Sequence, residues 1–462
     1  MNKSLAYLLG VFLFTSCTQS PKKQVAFASD NPAERVVWEK MRLADPNTGE
    51  IPNNIRQKEM IFAKTLPKST SFNKASWLHR GPYNVGGRTR ALAMDILDEN
   101  ILFAGGASGG MFRSTDGGQS WVMTTDPNQL HNVTCVSQDK RAGKENIWYF
   151  GSGELTGSSA SGGEAYYGGN GIYKSVDGGL SWDSLSVTAT NTNGFDSNFD
   201  FIWNIETDPS NDSLDVVYAA TYGTIYRSEN GGATWVKELG GGSTYYNNIE
   251  VTSSGEVYAT LSSDGLDKGI WHSVDGQNWT NITDSLFPPI YGRIAIDVNP
   301  SNENEVYFLA AETDNHGQHT DVFFNGETWT SLWKYDSSDS SWVNLSSNIP
   351  ANQSTSFDNF NAQGGYDLLV KVHPTDPNTV YIGGTNLWRS SDGFTTPNNT
   401  MIIGGYFIGS VEGDGNWGVY PNHHPDQHDL LFLPSDANVI LSATDGGVFK
   451  SNDTFADTVE WT

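Results

Sequence analysis

A four-residue pattern recurs seven times along this chain, and no other feature limits its fold as strongly. Each copy has an apolar, an aromatic and a basic residue, followed in six copies by Ser, as in Met111-Phe112-Arg113-Ser114. The copies begin at positions 111, 172, 225, 270, 332, 387 and 448, between 45 and 62 residues apart. A repeat of this period indicates similar units that stack to bury their apolar faces together.

In the first copy the pattern runs directly into a turn sequence. After Ser114 come Asp116, Gly117 and Gly118, and then Trp121. We expect a strand to end at Ser114, and the hydroxyl and carboxylate to cap the N–H groups of a tight turn. The glycines permit positive φ, and the Trp side chain covers the hairpin. Seven equivalent hairpins cannot share one active site, so we predict a structural role for the residues at this position: Asp116, Asp177, Asn230, Asp275, Asp392 and Asp453.

This turn resembles the Asp-box, or bacterial neuraminidase repeat, of β-propeller blades. The resemblance covers roughly residues 88–462, and related propellers include sialidases, xyloglucan-cleaving endoglucanases and sortilin-type receptors. It implies an all-β fold, a seven-bladed β-propeller with four strands in each blade. We place the propeller at residues 77–462. Residues 17–76 are predicted to form a tether and a short helical segment, with helices at Ala33–Leu43 and Ile55–Lys64.

The N-terminus carries a targeting pattern. Lys3 precedes an apolar run and small residues, and Cys17 follows. Residues 1–16 therefore resemble a bacterial lipoprotein signal peptide, with Cys17 as the lipidated residue; an ordinary signal peptide with an incidental Cys is the alternative. The apolar run is too short to span a bilayer as a helix. We expect a lipid anchor as the membrane contact of an outer-membrane lipoprotein in a Gram-negative bacterium, facing the periplasm or the cell surface.

Composition agrees with a secreted all-β protein. Only 17% of the residues are charged, there are 49 glycines, and the net charge is −26. Because this charge repels phosphate backbones, a nucleic-acid partner is excluded. Cys135 lies in an apolar strand pattern and is predicted to be a buried free thiol. The stretch 81–88, with 107–110 and 426–428, is similar to large secreted propellers of Bacteroidetes-type bacteria, which implies an envelope protein.

Long insertions fall on one face of the predicted propeller. The loops between second and third strands, and those between blades, open on the same face, which we call the loop face. Long loops on a rigid scaffold are typical of binding sites, so the loop face is the predicted binding surface. Five insertions lie there: Gly151–Gly171, Thr188–Asn198, Thr313–Thr330, Ala351–Gly365 and Ile403–Gln427.

Five polar residues in or directly after these insertions could hold a metal ion. They are His316, His319, His424, Asp426 and His428. If the last three enter a strand, they project to one side at alternate positions. Imidazole and carboxylate groups could then bind calcium or a transition metal. A hydrogen-bonded loop or a neutral substrate-binding patch explains the same residues, and the sequence implies no other cofactor.

Asp445 is the acid that departs from the repeat. It stands before Gly-Gly near the seventh copy, in a setting that resembles the Asp-x-Gly-Gly-x-Tyr motif of xyloglucan-cleaving endoglucanases. The resemblance implies a catalytic role for Asp445. Those enzymes pair two acids across a cleft between two propellers. The equivalent first-blade stretch, 107–112, has no acid, so one propeller offers at most half of that arrangement.

Three arginines lie before and at the start of the first blade. Arg80, Arg88 and Arg90 are predicted to bind an acidic group of a ligand, or else to staple the first strand to the propeller. The Tyr/Phe-Arg-Ile-Pro motif of sialidases is absent from this stretch, which disfavours a sialidase.

Two functions from different classes fit these features. The first is a lipid-anchored envelope propeller that acts as a binding or scaffold module for a protein or glycan through its loop face. The second is a glycoside hydrolase, closer to xyloglucanases than to sialidases, that uses Asp445 and a second acid of the loop face. The sequence favours the first function and argues against an enzyme, since a single propeller lacks the second catalytic half.

Overall fold

A computed structural model describes residues 32–52, 55–66, 86–126, 129–130, 132–155, 167–192, 194–242, 244–322, 326–351, 359–406 and 420–462. Residues 1–16, Cys17 and Arg80 lie outside these ranges, so their predicted roles stay predictions. The chain divides into one unit that ends at Ile51 and another that runs from Pro52 to Thr462. None of the helices in the described ranges has the length and apolar character needed to cross a membrane.

Two helices precede the strands. Helix α1 (Pro32–Leu43) belongs to the first unit and α2 (Ile55–Thr65) to the second, each within a residue or so of its predicted range. In α1 the guanidinium of Arg42 lies over the ring of Trp38, 4.5 Å from its centroid.

The other regular elements of the described ranges are strands and three short 3-10 helices, at Asn198–Asp200, Ser346–Asn348 and Gln363–Gly365. In chain order the strands are β1 (Thr89–Met94), β2 (Leu102–Gly106), β3 (Gly110–Ser114), β4 (Val122–Met123), β5 (Cys135–Gln138), β6 (Trp148–Gly151), β7 (Ile172–Ser175), β8 (Asp183–Ser184), β9 (Ile202–Thr207), β10 (Val217–Thr221), β11 (Thr224–Ser228), β12 (Val236–Gly240), β13 (Asn247–Val251), β14 (Val257–Leu261), β15 (Gly269–Ser273), β16 (Thr280–Asn281), β17 (Ile294–Val298), β18 (Glu305–Ala311), β19 (Gln318–Val322), β20 (Gly326–Asp336), β21 (Ser341–Asn344), β22 (Leu369–Val372), β23 (Val380–Gly383), β24 (Leu387–Ser390), β25 (Thr400–Gly404), β26 (Gln427–Leu433), β27 (Asp436–Thr444) and β28 (Gly447–Ser451).

These strands form seven antiparallel sheets, each a blade. Five blades have four strands in chain order, β1–β4, β5–β8, β9–β12, β13–β16 and β22–β25. The first strands of successive blades contact one another, and β26 of the last blade contacts β1 of the first, which closes the ring. The predicted all-β, seven-bladed propeller with a short N-terminal helical segment is therefore confirmed.

Two blades differ from the predicted four strands. In the fifth blade the insertion Thr313–Thr330 is not a structureless loop, because β19 pairs with the long β20 and adds a fifth strand. The sequence there contains four Thr, one Val, two Phe and one Trp, all of them residue types that favour strands. The seventh blade has three strands, β26–β28, and Thr462 exchanges backbone hydrogen bonds of 2.9 and 3.0 Å with Lys450 beside them.

Apolar residues are buried mainly between neighbouring blades. Phe103 of the first blade packs against Trp148 of the second, with ring centroids 4.3 Å apart. Between the last and first blades, Leu441 and Ala443 join Leu92 and Leu102 in one buried cluster. Because each such cluster draws on two blades, no blade has a complete core of its own.

The turns after the third strands are held as capped hairpins. Ser114 Oγ donates to Asp116 Oδ1 at 2.8 Å and accepts the N–H of Gly118 at 2.9 Å. These turns open on the face opposite the loop face. Equivalent Ser–Asp or Ser–Asn contacts hold Asp177, Asn230, Asp275 and Asp392, and in the seventh blade Asp453 contacts Ser451 through its backbone N–H.

Cys135 is a buried free thiol, as predicted. Burial raises the pKa of its thiol to about 12, so the nucleophilic thiolate is scarce near neutral pH.

Candidate active site

Charged side chains cluster on the loop face, where the first strands begin. Asp445 lies between β27 and β28, and Glu154 follows β6. Arg88, Tyr366 and Asp426 each come just before a first strand, in the first, sixth and seventh blades. Since these residues belong to four blades, only the closed ring brings them together.

Three groups meet one carboxylate oxygen of Asp445, two as hydrogen-bond donors and one as a positive charge. Tyr366 Oη donates to Asp445 Oδ1 at 2.6 Å, His428 Nε2 donates at 2.7 Å, and Arg88 Nε lies 3.3 Å away. Burial by itself raises the pKa of Asp445, but the His428 hydrogen bond and the other donors lower it to about 2. The carboxylate is therefore ionised across the neutral range, and 19% of its side chain is exposed to solvent.

His428 acts as a neutral hydrogen-bond donor. Its side chain is buried, and burial together with the nearby charge of Arg90 lowers its pKa to about 3. Arg90 Nη1 lies 3.0 Å from His428 Nδ1, and because a guanidinium can only donate, Nδ1 must accept. Nε2 then carries the proton that faces Asp445, which fixes the tautomer of the imidazole.

The carboxylate of Glu154 offsets the positive charges of the two arginines of the first blade. Its side chain is fully buried, with Oε2 2.7 Å from Arg88 Nη1 and Oε1 3.4 Å from Arg90 Nε. Burial raises the pKa of Glu154, while the charges of Arg90 and Arg88 oppose that rise. Arg90 also donates to the backbone carbonyl of Tyr366 at 2.9 Å. Arg90, with 6% of its side chain exposed, thus ties four blades together, whereas Arg88 reaches the solvent edge beside Asp445.

Asp426 differs from Asp445 because its pKa is raised and not lowered. Burial and the negative charge of Asp445 raise its pKa to about 7. Its carboxyl accepts a hydrogen bond of 2.9 Å from Gln363 Nε2, and its backbone carbonyl accepts the N–H of Asp445 at 3.2 Å. Asp426 and Gln363 have φ of 65° and 43°, in the left-handed region that non-glycine residues seldom occupy. Strained backbone of this kind concentrates at functional sites.

The predicted metal centre does not form. His316 and His319 lie in the outer hairpin of the fifth blade, where His319 Nε2 contacts Glu327 at 3.0 Å. The alternate spacing also fails in the seventh blade, because β26 begins only at Gln427 and Asp426 precedes it with a positive φ. Nowhere in the described ranges do three His, Cys, Asp or Glu side chains make a metal-binding group. The structure therefore does not bring three or more of His316, His319, His424, Asp426 and His428 together as a ligand group.

A central channel begins at this cluster. It has a volume of about 370 Å³ and is lined by all seven first strands, including Arg90 and His428. Inside it, Lys371 Nζ lies 3.2 Å from Asp297 Oδ1. Burial and the charge of Glu206 raise the pKa of Glu250, a further lining residue, to about 8. The channel therefore holds acids that keep their protons more readily than free carboxyl groups.

Several residues of the cluster were missed by sequence reasoning. Glu154 lies within the insertion Gly151–Gly171, and Tyr366 follows the insertion Ala351–Gly365, so the insertions marked the right segments. Neither residue stands in a motif, and only the ring places them beside Asp445. Asp445 and Asp426 were singled out, the first as a catalytic acid and the second as a metal ligand.

Comparison with known proteins gives named relatives. The chain is 26% identical over 363 residues to a xyloglucanase of Paenibacillus sp, which covers 66% of this chain and 33% of that protein. It is 23% identical over 292 residues to a xyloglucanase of Hypocrea jecorina (strain QM6a), covering 54% and 33%. The chain thus spans about a third of the length of these relatives. No family model matches it.

Solved structures share the fold. An ancestral GH74 enzyme has a TM-score of 0.55 at 18% identity and covers 82% of this chain and 46% of its own. The GH74 xyloglucanase of Xanthomonas campestris has a TM-score of 0.55 at 17% identity and covers 81% and 54%. The GH74 enzyme of Niastella koreensis has the same TM-score at 16% identity, with coverage of 82% and 54%. At these identities the likeness concerns the propeller itself.

These comparisons correct the functional prediction. The sequence favoured a binding or scaffold module, but the curated relatives are enzymes, both named xyloglucanase. The preference for a module without catalysis was wrong because it relied on the absence of a second propeller. A single ring gathers acids from several blades, and the alternative, a glycoside hydrolase, fits the findings better.

Proposed function

We propose that this chain is a glycoside hydrolase that cleaves a β-glucan of the xyloglucan class. The observation that carries the proposal is the division between two neighbouring acids, Asp445 and Asp426. One is ionised because two hydrogen-bond donors and the charge of Arg88 meet its carboxylate, and the other keeps its proton up to about pH 7 because it is buried beside that negative charge. Glycoside hydrolysis requires two carboxyl groups whose pKa values differ in this way, one ionised and one protonated.

In this proposal each acid has its own role. Asp426 is the proton donor to the glycosidic oxygen, so that the leaving sugar departs as an alcohol. The Asp445 carboxylate faces the positive charge that develops at the anomeric carbon, and it either activates water or attacks that carbon. Tyr366, His428 and Arg88 fix Asp445 from three sides, so it needs no rearrangement during the reaction.

Aromatic side chains on the same face offer a surface for sugar rings. Phe195, which is 55% exposed, packs edge-on against Tyr222 with centroids 4.9 Å apart. Tyr222 in turn contacts Tyr245 at 6.0 Å. These residues precede or follow strands of the third and fourth blades at the loop-face end. Large apolar rings with a few polar groups are typical of ligand-binding clefts.

The test is hydrolysis by the purified chain. Xyloglucan, unbranched β-glucans and a sialoside are incubated with the wild type, and new reducing ends are measured. We expect release from a β-glucan, and a loss of at least about 100-fold in kcat/KM for Asp445→Asn and for Asp426→Asn. Asp457→Asn, which alters an exposed acid of the same blade, is the matched control. No release from any β-glucan, or unchanged turnover by Asp445→Asn, overturns the proposal.

A further inference from the structure

Asp367 is an acid of the loop face that the proposed reaction does not use. It follows Tyr366 just before β22 and is fully buried, with none of its surface exposed. Within the described ranges, neither of its carboxylate oxygens accepts a hydrogen bond from an N–H or O–H group of another residue. An ionised carboxylate buried without donors costs several kcal/mol, so the side chain needs a proton or a counter-ion.

The partner of Asp367 is another acid. The Asp426 carboxyl interacts with Asp367 by charge and by a side-chain hydrogen bond, and Asp445 adds a second negative charge nearby. Two carboxyl groups can share a hydrogen bond only if one of them carries a proton. Burial, followed by the charge of Asp426, raises the pKa of Asp367 well above its ordinary value. Because Asp367 is fully buried and Asp426 only partly so, Asp367 keeps its proton more readily and is the donor, with Asp426 as the acceptor.

Positive charge near the pair does not alter this arrangement. Arg293 feels the charge of Asp367, but its Nη1 donates to the backbone carbonyls of Gly365 and Tyr366 at 3.2 and 3.3 Å. Arg88 acts on Asp426 by charge, and its Nη1 donates to Glu154 Oε2 at 2.7 Å. A metal ion is a poor substitute for the proton, since no three acids or imidazoles of the described chain form a ligand group.

We propose that Asp367 is a positioning residue that remains a neutral carboxylic acid and donates its proton in a hydrogen bond to Asp426. Its role rests on the proposed hydrolysis. When Asp426 transfers its own proton to the leaving oxygen, it becomes a carboxylate, and the Asp367 O–H stabilises that new charge without being transferred itself. A neutral acid that acts as a hydrogen-bond donor in an apolar site is a known catalytic device.

The first test needs no substrate. The unfolding equilibrium of the wild type and of Asp367→Asn is measured by denaturant titration between pH 4 and pH 8. The unfolded Asp367 ionises in this range while the folded one keeps its proton, so a raised pKa makes the wild type lose stability as pH rises. Asn has no proton to lose. The ratio of the two unfolding constants should therefore change about tenfold for each pH unit, with the wild type relatively less stable at high pH.

Control measurements distinguish a proton on Asp367 from a bound cation or an ionised carboxylate. Asp457→Asn, at an exposed acid, should show no such slope between pH 6 and pH 8. A pH-independent ratio for Asp367→Asn shows that Asp367 is ionised in the folded protein and overturns the proposal. A second result also overturns the proposal. If millimolar Ca²⁺ raises the melting temperature of the wild type but not that of Asp367→Asn, the acids hold a cation and not a proton. If Asp367→Asn does not fold, Asp367→Glu and infrared detection of a protonated carboxyl in the wild type give the same decision.

The second test measures hydrolysis. Because Asn also donates a hydrogen bond, Asp367→Asn should keep most of kcat/KM and leave the basic limb of the pH profile within about half a unit. Asp367→Leu removes the donor, so it should lower kcat at least tenfold and move that limb to higher pH. If the basic limb of Asp367→Asn lies a pH unit or more below that of the wild type, Asp367 is not neutral and the proposal is contradicted. If the stability slope is found but no glycan is cleaved, the proton is confirmed and only the proposed function fails.

Discussion

Replacement of Lys371 by Met tests the charge balance of the central channel. Lys371 Nζ lies 3.2 Å from Asp297 Oδ1, and the two side chains are 29% and 8% exposed. Asp429 and Glu250 also act on this ammonium group by charge. Removing one partner of a buried pair costs about 3–5 kcal/mol, and because the channel admits solvent we expect about 3 kcal/mol at pH 8.

The cost should depend on pH. Burial raises the pKa of Asp297 and Asp429, and the charge of Lys371 opposes that rise. Without Lys371 both acids take up protons more easily, so at pH 5 the substitution should cost less than half of its value at pH 8. Denaturant titration measures both values, with Lys237→Met at an exposed position of β12 as the control. A cost below about 1 kcal/mol, or the same cost at both pH values, refutes this view of the channel.

Two further substitutions probe the hairpins and the arginine pair. Ser175→Ala removes the hydroxyl that accepts the buried N–H of Gly179 at 2.9 Å. It should lower the free energy of unfolding by about 1–3 kcal/mol and leave hydrolysis unchanged. A simultaneous loss of activity would place function on the hairpin face. Glu154→Gln leaves Arg88 and Arg90 without their buried counter-charge, and should cost about 3 kcal/mol at pH 7 by thermal and chemical unfolding. A variant as stable as the wild type would show that Asp445 alone balances both arginines.

The repeat predicted the fold because its contacts are local. Ser114, Asp116 and Gly118 meet within five residues, so their spacing in the sequence already defines the turn. Seven such hairpins at similar intervals leave a closed ring of blades as the natural arrangement. The fifth blade departed from the prediction because strand preference, rather than any repeat, folds the segment that contains β19.

The site was harder to predict because its contacts are distant. Glu154 and Arg88 are 66 positions apart, and Arg90 and His428 are 338 positions apart. Asp445 could be singled out because it breaks the repeat, but nothing in the sequence shows that Tyr366 and His428 donate to it. Asp426 was read as a metal ligand from its spacing to two histidines. Its positive φ and its burial beside Asp445 come from the closed ring. That burial raises the pKa of Asp426, so it can act as a proton donor near neutral pH.

The pH dependence of kcat/KM on a β-glucan tests the proposed pairing of Asp445 and Asp426 most directly. Activity requires Asp445 as a carboxylate and Asp426 with its proton, whose pKa values are about 2 and about 7. For the free enzyme we predict a plateau between these values and a tenfold fall for each unit above about pH 7 as Asp426 ionises. Activity that rises through pH 7 would contradict the assignment of Asp426 as the proton donor, and with it the roles proposed for the two acids.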